Sequence, residues 1–591
     1  VIGNDGVGPD LSLTLSYNQN SQQDLYGIAP GWGLNLVHYD SDNQMLTLST
    51  GASYRITNIT STGQMDLQYA KLDNLHVYKG GSGDPYFLKL VYKDGHIEYL
   101  NNQGYLTEIE SARGNKLMVQ YDDSHGKPMI TQIRDMSGQH HIDFKYQGGG
   151  IVVESQDESG GIISSTLETS DNLLVGIKMP IPGQSIAFNY KNYGTQHLIS
   201  QVDYPTGSSD QLFYTALQGP EVSGHNFTEY AVSQRILDPG FDMKQIITSY
   251  DYGIIDQHNY LGHGQTVPYQ SHADLLFETN ASYQYATRVT VGQKTITYTY
   301  NKYHLLMDKS IDINGQSGEQ RDQQFCYPVG QGKQVCGNDP VTEAIQSLPA
   351  NYTLQTESQL TFYQPSDSTH LLGARKIRSR TISAKQTYDD QGNLLSSQDV
   401  SGMQAHYSYL PADGNGFVNY KQLVTLSPGN AGVNTQTPPA QLSEHYQYQK
   451  LDPLDKSLKA KLYVVKHVDS EYQNTDGKWL IFRSKNNQYY QQPGSNYGLL
   501  SEATIALPAS RELQGTDNLL SGQSQNYQYQ SDTVQLAGKS YPVLKTIIHQ
   551  GGATDANGLP SAAPVTAIQY KSAYTGKTIL EEDSKGNKTG F

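Results

Sequence analysis

Short runs in which apolar and polar residues alternate recur along the whole chain. Residues 11–17 alternate almost without interruption, and residues 87–92 repeat the pattern. Successive side chains of a strand point to opposite faces, so a period of two predicts strands with one face against a core. Between the runs, Asp94-Gly95 and Gly392-Asn393 are typical of hairpin turns, whose backbone takes a positive φ. The sequence therefore predicts an all-β chain arranged as a long antiparallel hairpin ribbon.

The composition of the 591 residues supports strands and excludes several classes of protein. Tyr occurs 45 times and Gly 56 times, whereas only 17% of the residues are charged. Helical bundles are disfavoured because β-forming side chains dominate. A net charge of -16 argues against nucleic-acid binding, which needs clustered Lys and Arg. We find no apolar run of the roughly 18 residues that a spanning helix needs. We therefore predict neither a nucleic-acid partner nor a membrane span.

A longer unit repeats above the level of single strands. One copy starts near residue 104 and ends at Tyr121-Asp122, and the next contains Asp135 and Gly138. Each copy is a strand, a turn that contains glycine, and a returning strand that ends in tyrosine. Repetition of this kind predicts supersecondary units that stack on their neighbours.

Looser copies follow further along the chain. Tyr250-Asp251 marks one copy, and another runs from Tyr388-Asp389 through Gly392 to Tyr407 and Tyr409. Residues two apart on a strand share a face, so tyrosine pairs of this kind can stack on tyrosines of neighbouring hairpins. We predict that such tyrosine ladders hold adjacent hairpins together.

These units resemble the YD repeats of the RHS (rearrangement hot spot) family, whose pattern is approximately G-x-L-x-x-I-x-D-x-x-G-x-x-x-x-Y-x-Y-D. Tyr121-Asp122, Tyr250-Asp251 and Tyr388-Asp389 retain the dipeptide, and residues 8–17 and 26–36 are similar to the start of such cores. The resemblance implies a β-ribbon that spirals into a partial hollow shell. The family includes the B and C components of insecticidal toxin complexes, bacterial polymorphic toxins and the teneurin cell-surface proteins.

The chain divides into four stretches on this interpretation. Residues 1–60 resemble the start of an RHS core, residues 61–321 and 353–591 are YD-repeat strips with the second truncated at its end, and residues 322–352 are an insertion. Within the insertion, Cys326 and Cys336 could form one disulfide or remain two separate thiols. Asp339-Pro340 combines an N-cap residue with proline at the first helical position, which predicts a short helix.

We find no motif that indicates catalysis or metal binding. The nucleophile elbow, the phosphate-binding glycine loops and the His-Glu-x-x-His motif are all missing from the sequence. Residues 389–393 resemble a calcium loop but lack its terminal bidentate glutamate, so a hairpin turn stabilised by Asp389 explains them better. We therefore predict no catalytic residue, no metal site, no cofactor and no enzymatic activity.

The family resemblance implies a structural role. The chain is expected to be a shell segment of a secreted bacterial toxin that encapsulates a C-terminal toxic effector and helps to deliver it, with the cleavage site and effector beyond Phe591. The expected partners are the rest of the shell and its cargo, with a secretion or translocation component or a cell-surface glycan as further candidates. Two alternatives are an extracellular carbohydrate- or protein-binding adhesion module and an enzyme that acts on polysaccharides.

Overall fold

A computed structural model gives the chain as strands joined by turns, and the all-β prediction is confirmed. The structure describes residues 2, 8–21, 23–124, 126–222, 225–266, 274–277, 279, 282–313, 320–365, 377–429, 440–456, 458, 460–492, 498–508, 519–551 and 565–591. Within this part of the chain, the helical segments are two 3-10 turns, Leu25–Gly27 and Ile345–Ser347. None of the helices there is long and apolar enough to cross a membrane.

The strands are short at the start of the chain, and the longest ones lie in its middle and later parts. Those of the first third are β1 (Leu15–Tyr17), β2 (Trp32–Leu34), β3 (His38–Asp40), β4 (Met45–Thr47), β5 (Ser53–Ile59), β6 (Gln64–Leu67), β7 (Leu75–Lys79), β8 (Leu88–Tyr92), β9 (Ile97–Leu100), β10 (Leu106–Glu110), β11 (Lys116–Asp122), β12 (Met129–Asp135), β13 (His141–Gln147), β14 (Gly150–Gln156), β15 (Ile162–Ser170), β16 (Leu173–Lys178), β17 (Ser185–Tyr193) and β18 (Gln196–Asp203).

The middle third contains β19 (Ser209–Val222), β20 (His225–Asp238), β21 (Ile246–Tyr252), β22 (Gln284–Val291), β23 (Lys294–Asn301), β24 (Leu306–Ile313), β25 (Gln320–Gly330), β26 (Lys333–Cys336), β27 (Glu357–Pro365), β28 (Ile377–Tyr388), β29 (Leu394–Gln398), β30 (Gln404–Tyr409) and β31 (Lys421–Ser427). The last third contains β32 (Leu442–Leu451), β33 (Leu462–Gln473), β34 (Trp479–Tyr489), β35 (Leu500–Pro508), β36 (Leu519–Leu536), β37 (Lys539–Gln550), β38 (Val565–Ser572), β39 (Thr578–Glu582) and β40 (Lys588–Gly590).

The strands form one continuous antiparallel meander. From β3 to β40 each strand pairs with the next in sequence, except that β25 pairs with both β26 and β27. Strands β1 and β2 form a separate two-stranded sheet. Within the described residues β40 pairs with β39 alone, so the sheet is an open ribbon rather than a closed barrel. The predicted antiparallel β-hairpin ribbon is therefore confirmed.

One five-residue turn recurs between the strands. Its first residue is Asp or Asn, whose side-chain oxygen accepts hydrogen bonds from the backbone N–H groups two and four residues later, and its fourth residue takes a positive φ. Turns of this kind begin at Asn101, Asp157, Asn301, Asp389, Asp399, Asp413, Asn474 and Asp583. Glycine fills the fourth place in all but one of these turns, where His304 has φ +57°. The turn chemistry explains why Asx and Gly recur at this spacing.

The turn at Asp389 confirms that residues 389–393 form a hairpin. Asp389 Oδ1 accepts from the backbone N–H of Gln391 at 3.0 Å and of Asn393 at 2.8 Å. Its Oδ2 accepts from Asn393 Nδ2 at 2.8 Å, and Gly392 has φ +76°. The carboxylate is therefore already used by its own turn, as the sequence predicts.

The segment after Cys336 differs from the predicted helix. No α-helix begins at Asp339-Pro340, and the only helical residues there are the 3-10 turn Ile345–Ser347. Val341, Ile345 and Leu348 turn inwards instead and form a small core with strand residues. This core fixes an irregular backbone whose carbonyls find partners outside the segment, which removes the advantage of a helix. Residues 322–330 lie in β25, within the main sheet.

The largest hydrophobic core lies between the first strands of the ribbon and the segment that precedes them. Residues 8–21 and 23–37, which we call the N-terminal strap, contribute Tyr26 and Trp32, which are 2% and 6% exposed. The ribbon contributes fully buried side chains such as Leu88 and Ile130. Burial of apolar area of this extent is the main favourable contribution to folding.

Candidate functional site

The N-terminal strap lies across one face of the ribbon and is held there by aromatic contacts. Trp32 Nε1 donates to the Tyr190 hydroxyl at 3.0 Å, and the Trp32 ring lies 4.9 Å from that of Phe188. Tyr26 stacks on Tyr121 with ring centroids 6.5 Å apart. Aromatic pairs of this kind add stability beyond the area they bury. The strap therefore packs specifically on this face of the ribbon.

The reach of the strap shows that the ribbon curves around it. Tyr26 contacts Tyr121 on β11, and Gln19 Nε2 donates to the carbonyl of Tyr230 on β20 at 2.6 Å. On a flat sheet, β11 and β20 would be roughly 43 Å apart, at about 4.8 Å for each inter-strand step. A fully extended backbone from residue 19 to residue 26 would reach about 25 Å. The strap backbone is shorter than that, because residues 25–27 form a 3-10 turn, and the side chains at its two ends use much of their length to cross from the sheet to the strap. The strap therefore lies on the concave face of a curved sheet.

The concave face is apolar beyond the strap. Directly opposed residues on β21 to β24 of this face are Tyr250, Val289, Ile296 and Ile311. These residues lie on the face that carries the strap. Leu212 packs against the strap core and lies directly opposite Arg235 in the sheet, and Arg235 lies directly opposite Thr248. Tyr250 follows Thr248 by two residues and therefore shares its face. The apolar row therefore continues the surface on which the strap is seated.

The opposite face carries polar side chains at the alternating positions. The matching row across the same strands is Ser249, Thr290, Thr295 and Asp312. This division follows from the period-two alternation, since each strand gives every second residue to each face. The ribbon thus has an apolar concave face and a polar convex face along these strands.

Tyrosines that are mostly half-buried tie several strands of the ribbon to the strand before them. Near the end of a strand, a tyrosine hydroxyl donates to a backbone carbonyl of the preceding strand, at 2.6 to 3.1 Å. We call this arrangement the tyrosine clamp, and its donors are Tyr121, Tyr190, Tyr214, Tyr252, Tyr327, Tyr409, Tyr448 and Tyr489. Burial raises the pKa of Tyr252 to about 12, so the hydroxyl keeps its proton and remains a donor. The clamp gives the repeated tyrosine its physical role.

The predicted repeat residues near the start of the chain occupy these positions. Tyr121 donates to the Leu106 carbonyl at 2.7 Å, and burial raises its pKa well above the usual value. Asp122 Oδ1 accepts from the backbone N–H of Ser124 at 2.8 Å. Gly138 has φ +72° in the following turn.

Asp135 forms a buried hydrogen-bonded pair with His140. Its Oδ2 lies 2.6 Å from His140 Nδ1, and the Ser137 hydroxyl donates to both oxygens. Burial opposes ionisation of the carboxyl, but the hydrogen bonds from His140 and Ser137 outweigh it and hold the pKa of Asp135 below its usual value. The aspartate of the repeat thus orders its own turn.

Of the later repeat residues, the second tyrosine of each pair is the clamp. Tyr409 donates to the Leu394 carbonyl at 2.9 Å, whereas Tyr407 has Lys421 Nζ 5.2 Å above its ring. Tyr252 is likewise a clamp, whereas Tyr250 lies in the apolar row. The sequence pattern did not separate the two roles, because both members share a face.

Three further predicted residues have local roles. Asp251 lies opposite Arg288 in the sheet. Tyr388 donates to Gln386 Oε1 at 2.5 Å, and burial raises its pKa. Cys326 and Cys336 face each other on β25 and β26 and are joined by a disulfide. The described part of the chain contains no group of three or more potential metal ligands.

The ribbon returns to contact itself along one edge. The described residues between 53 and 252 form a first coil and those between 274 and 590 a second coil, and turns of the first coil meet turns of the second. Ser572 Oγ donates to the Glu158 carbonyl across a sequence separation of 414, and Lys93 Nζ donates to the Gln391 carbonyl across 298. The partners advance in the same order along both coils. This coil seam therefore joins two stacked layers of a spiral.

Lysines of the first coil carry much of the coil seam. Lys71 Nζ donates to the carbonyls of Ile345, Gln346 and Leu348, which explains how the irregular segment satisfies its backbone. Lys93 Nζ also donates to Asn393 Oδ1 at 2.6 Å. Burial lowers the pKa of Lys71. The sequence analysis missed these lysines, because nothing in their local pattern reports a partner hundreds of residues away.

The most charged point of the coil seam surrounds Lys116. Its Nζ lies 2.9 Å from Glu108 Oε1, 3.0 Å from Asp455 Oδ2 of the second coil and 3.7 Å from Glu110 Oε1. Burial disfavours the ammonium, but its hydrogen bonds to Glu108 and Asp455 raise the pKa of Lys116 above the usual value. Burial raises the pKa of Glu110, against hydrogen bonding from Tyr99 and the charge of Lys116. One cation thus holds three carboxylates.

Comparisons with known proteins identify similar structures only. No protein-family model matches the sequence, and no curated protein matches it. A crystal structure of TcdB2-TccC3-Cdc42 and a structure of the Photorhabdus luminescens Tc holotoxin pore are each 11% identical, with a TM-score of 0.25 over 92% of this chain. A crystal structure of TcdB2-TccC3 gives a TM-score of 0.18 over 94% at 11% identity. The chain spans 27% of the first two chains and 35% of the third.

Proposed function

We propose that this chain is a structural shell segment of a secreted bacterial toxin. The shell encloses a toxic effector of the same polypeptide and helps to deliver it. Its partners are the rest of the shell and the enclosed effector. Enclosure depends on area and closure, so the proposal assigns no catalytic residue and no cofactor to the chain.

The coil seam is the observation that carries the proposal. A ribbon that only bound a ligand would not need its turns joined to a second layer by half-buried lysines and a charged cluster. Stacked coils with side chains packed between them make a continuous wall, and they also cover turns that would otherwise be exposed. Strand edges along the ribbon are satisfied by the neighbouring strands, which protects the wall from aggregation.

The division between the two faces supports the same function. The concave face presents aliphatic residues such as Val289, Ile296 and Ile311, whereas the convex face presents hydroxyl and acidic side chains. An apolar interior suits a polypeptide that is held incompletely folded, because such a chain exposes apolar side chains. The polar exterior suits contact with water.

Limited proteolysis of the full natural toxin tests the enclosure. We expect the effector portion to resist proteinase in the intact protein and to be digested when the wall is opened by Lys93→Met. Lys93 spans the coil seam, so its loss removes hydrogen bonds to Gln391 and Asn393. The exposed Lys478 provides the matched control, and Lys478→Met should leave the effector protected.

Electron microscopy of the same protein provides the second readout. A hollow particle with additional density inside is expected. A compact particle without an interior, or an effector that is digested at the same rate in wild type as when free, contradicts the proposal. Release of sugars from polysaccharides by the purified chain, lost on mutation of one acidic pair, would instead support the enzymatic alternative.

A further inference from the structure

One contact of the coil seam places an amine against a side-chain carboxamide. Lys93 lies in the β8–β9 turn of the first coil, and Asn393 closes the five-residue turn of the second coil that begins at Asp389. Lys93 Nζ lies 2.6 Å from Asn393 Oδ1. A carbonyl bond is about 1.2 Å long, so Nζ is at most about 3.8 Å from Cγ, the carboxamide carbon of Asn393. Two groups that could form an amide are therefore already in contact.

The carboxamide of Asn393 is held in one orientation. Its Nδ2 donates to Asp389 Oδ2 at 2.8 Å and to the Val418 carbonyl at 2.9 Å, and the residue is 6% exposed. The oxygen is thereby turned towards Lys93, whose Nζ also donates to the Gln391 carbonyl at 2.7 Å. Groups fixed in this way react faster than free ones, because folding has already removed the entropy of bringing them together.

The amine must be neutral to act as a nucleophile, and the site favours that form. Burial lowers the pKa of Lys93, although the charges of Asp389 and Asp73 oppose this shift. The two coils pack closely beside the site, since a Cβ on Gly392 would lie 3.5 Å from Leu72 Cδ2 of the first coil. A lysine whose pKa is lowered by burial can serve as a nucleophile.

Asp389 is placed to move the proton that amide formation requires. Its Oδ2 lies 2.8 Å from Asn393 Nδ2, the nitrogen that would leave, and its charge acts on Lys93. A general acid needs to be within hydrogen-bond distance of the atom that it protonates. The Oδ1 atom of Asp389 accepts from two backbone N–H groups of its own turn, which fixes the carboxyl in this position.

We propose that Lys93 and Asn393 react with each other to form an isopeptide bond that joins the two coils covalently. Lys93 first loses its ammonium proton to solvent. The neutral Nζ adds to Cγ of Asn393, and Asp389 takes a proton from Nζ and passes it to Nδ2. The Cγ–Nδ2 bond then breaks and ammonia leaves. One Nζ–Cγ amide bond has formed and one ammonia has been lost, and the balance needs no co-reactant.

The bond would make the coil seam permanent at this point. It links residues separated by 300 positions, so the two coils stay connected even when the chain unfolds. Crosslinks that close long loops restrict the unfolded chain and thereby stabilise the folded one. This consequence goes beyond the proposed function, because it holds whatever the wall encloses.

Mass spectrometry of the purified protein tests the bond. Intact wild type should be lighter than its sequence by the mass of one ammonia, and a digest should contain a branched peptide that joins positions 93 and 393. Lys93→Arg keeps a cation and its donors but supplies no reactive amine, so its mass should match its sequence. Lys71→Arg is the matched control at the coil seam and should retain the branched peptide, because Lys71 Nζ donates to backbone carbonyls.

A further variant tests the role of the carboxyl. Asp389→Asn keeps an oxygen for the turn, as Asn101 does in a turn of the same kind, but removes the group that carries the proton. Hydrogen exchange of the variant should show the turn intact, and the branched peptide should be lost. An Asp389→Asn protein that forms the branch as completely as wild type would overturn the role of Asp389.

A second readout uses wild type alone and does not depend on any variant folding. Cleavage of the chain at a site between positions 93 and 393, followed by reduction and denaturation, should leave the two fragments joined. Fragments that separate, an intact mass equal to that of the sequence, or a branch between other residues would overturn the proposal. A branched peptide at position 93 that persists in Lys93→Arg would do the same.

Discussion

Replacing Lys116 by methionine should open the coil seam at its most charged point. The change keeps most of the side-chain volume but removes the ammonium that lies within ion-pair distance of Glu108, Glu110 and Asp455. Glu110 is 0% exposed and the other two are each 26% exposed in their side chains, so water can replace the lost charge only in part.

The magnitude follows from the burial of the carboxylates. Coulomb's law at an effective dielectric constant of 20 gives roughly 5 kcal/mol for each pair at 3 Å, most of which offsets the desolvation of the charges. Removing one partner of a buried pair costs about 3–5 kcal/mol. Because two of the three carboxylates are partly exposed, we expect roughly 3 kcal/mol here.

The pKa shifts of Lys116 and Glu110 predict how the stability of wild type and variant changes with pH. The pKa of Lys116 is higher in the folded state than in the unfolded state, where it is about 10.4. Its contribution to the free energy of unfolding is therefore fully present below the unfolded pKa and is lost as pH rises through the folded pKa. In Lys116→Met the three carboxylates lose this shared cation, so the repulsion between them is less screened. Acidification protonates Glu110 first, because burial raises its pKa. The variant should therefore recover stability as pH falls.

Hydrogen exchange measured by mass spectrometry tests this locally. In Lys116→Met at neutral pH, amides of residues 111–115 and 452–456 should exchange about a hundredfold faster, since 1.36 kcal/mol corresponds to a factor of ten. The exposed Lys478→Met is the control and should not change these amides. Exchange within twofold of wild type, or an acceleration that grows as pH falls, would refute the reasoning about the cluster.

Three further predictions concern the wall itself. Tyr121→Phe leaves a buried carbonyl without its donor and should cost about 1–3 kcal/mol in urea-induced unfolding, measured by fluorescence. Gly104→Ala should destabilise the first coil by roughly 1–3 kcal/mol, because φ is +85° and a Cβ would overlap a β3 carbonyl. Gly51→Ala is the control, since Gly51 has φ +87° but faces open space, and it should lose less stability. Equal losses of stability would contradict this steric account. Burial and the charge of Asp322 raise the pKa of Asp308 to about 6, so the stability of the fold should decrease as pH rises from about 4 towards 6. Asp322→Asn should flatten this pH dependence in thermal melts. An unchanged slope would exclude coupling between Asp308 and Asp322.

Local chemistry explains why the strands and their turns could be predicted. Period-two alternation requires only that one face be buried, and the Asx and Gly spacing requires only the hydrogen bonds of one turn. Asp389 illustrates this, since all the contacts that define its turn lie within four residues. The tyrosine clamp is almost as local, because Tyr121 reaches a carbonyl only 15 residues earlier.

The prediction of a helix at Asp339-Pro340 was wrong because contacts distant in sequence decide the structure of this segment. Its N-cap and proline favour a helix start, but Val341, Ile345 and Leu348 are drawn into a core made with distant strands. The carbonyls there are satisfied by Lys71, 274 residues from Ile345. Tertiary packing therefore outweighed the local preference.

The sequence by itself determined an all-β ribbon with its hairpin turns and its repeated tyrosines, because those features depend on neighbours along the chain. Only the tertiary structure decided which face is concave, that Gln19 and Tyr26 bridge nine inter-strand steps, and that Lys116 meets Asp455. Curvature is the sum of small twists over many strands, and the partners at the coil seam depend on that sum. No local sequence pattern encodes this curvature, so the sequence does not distinguish a lysine at the coil seam from any other lysine.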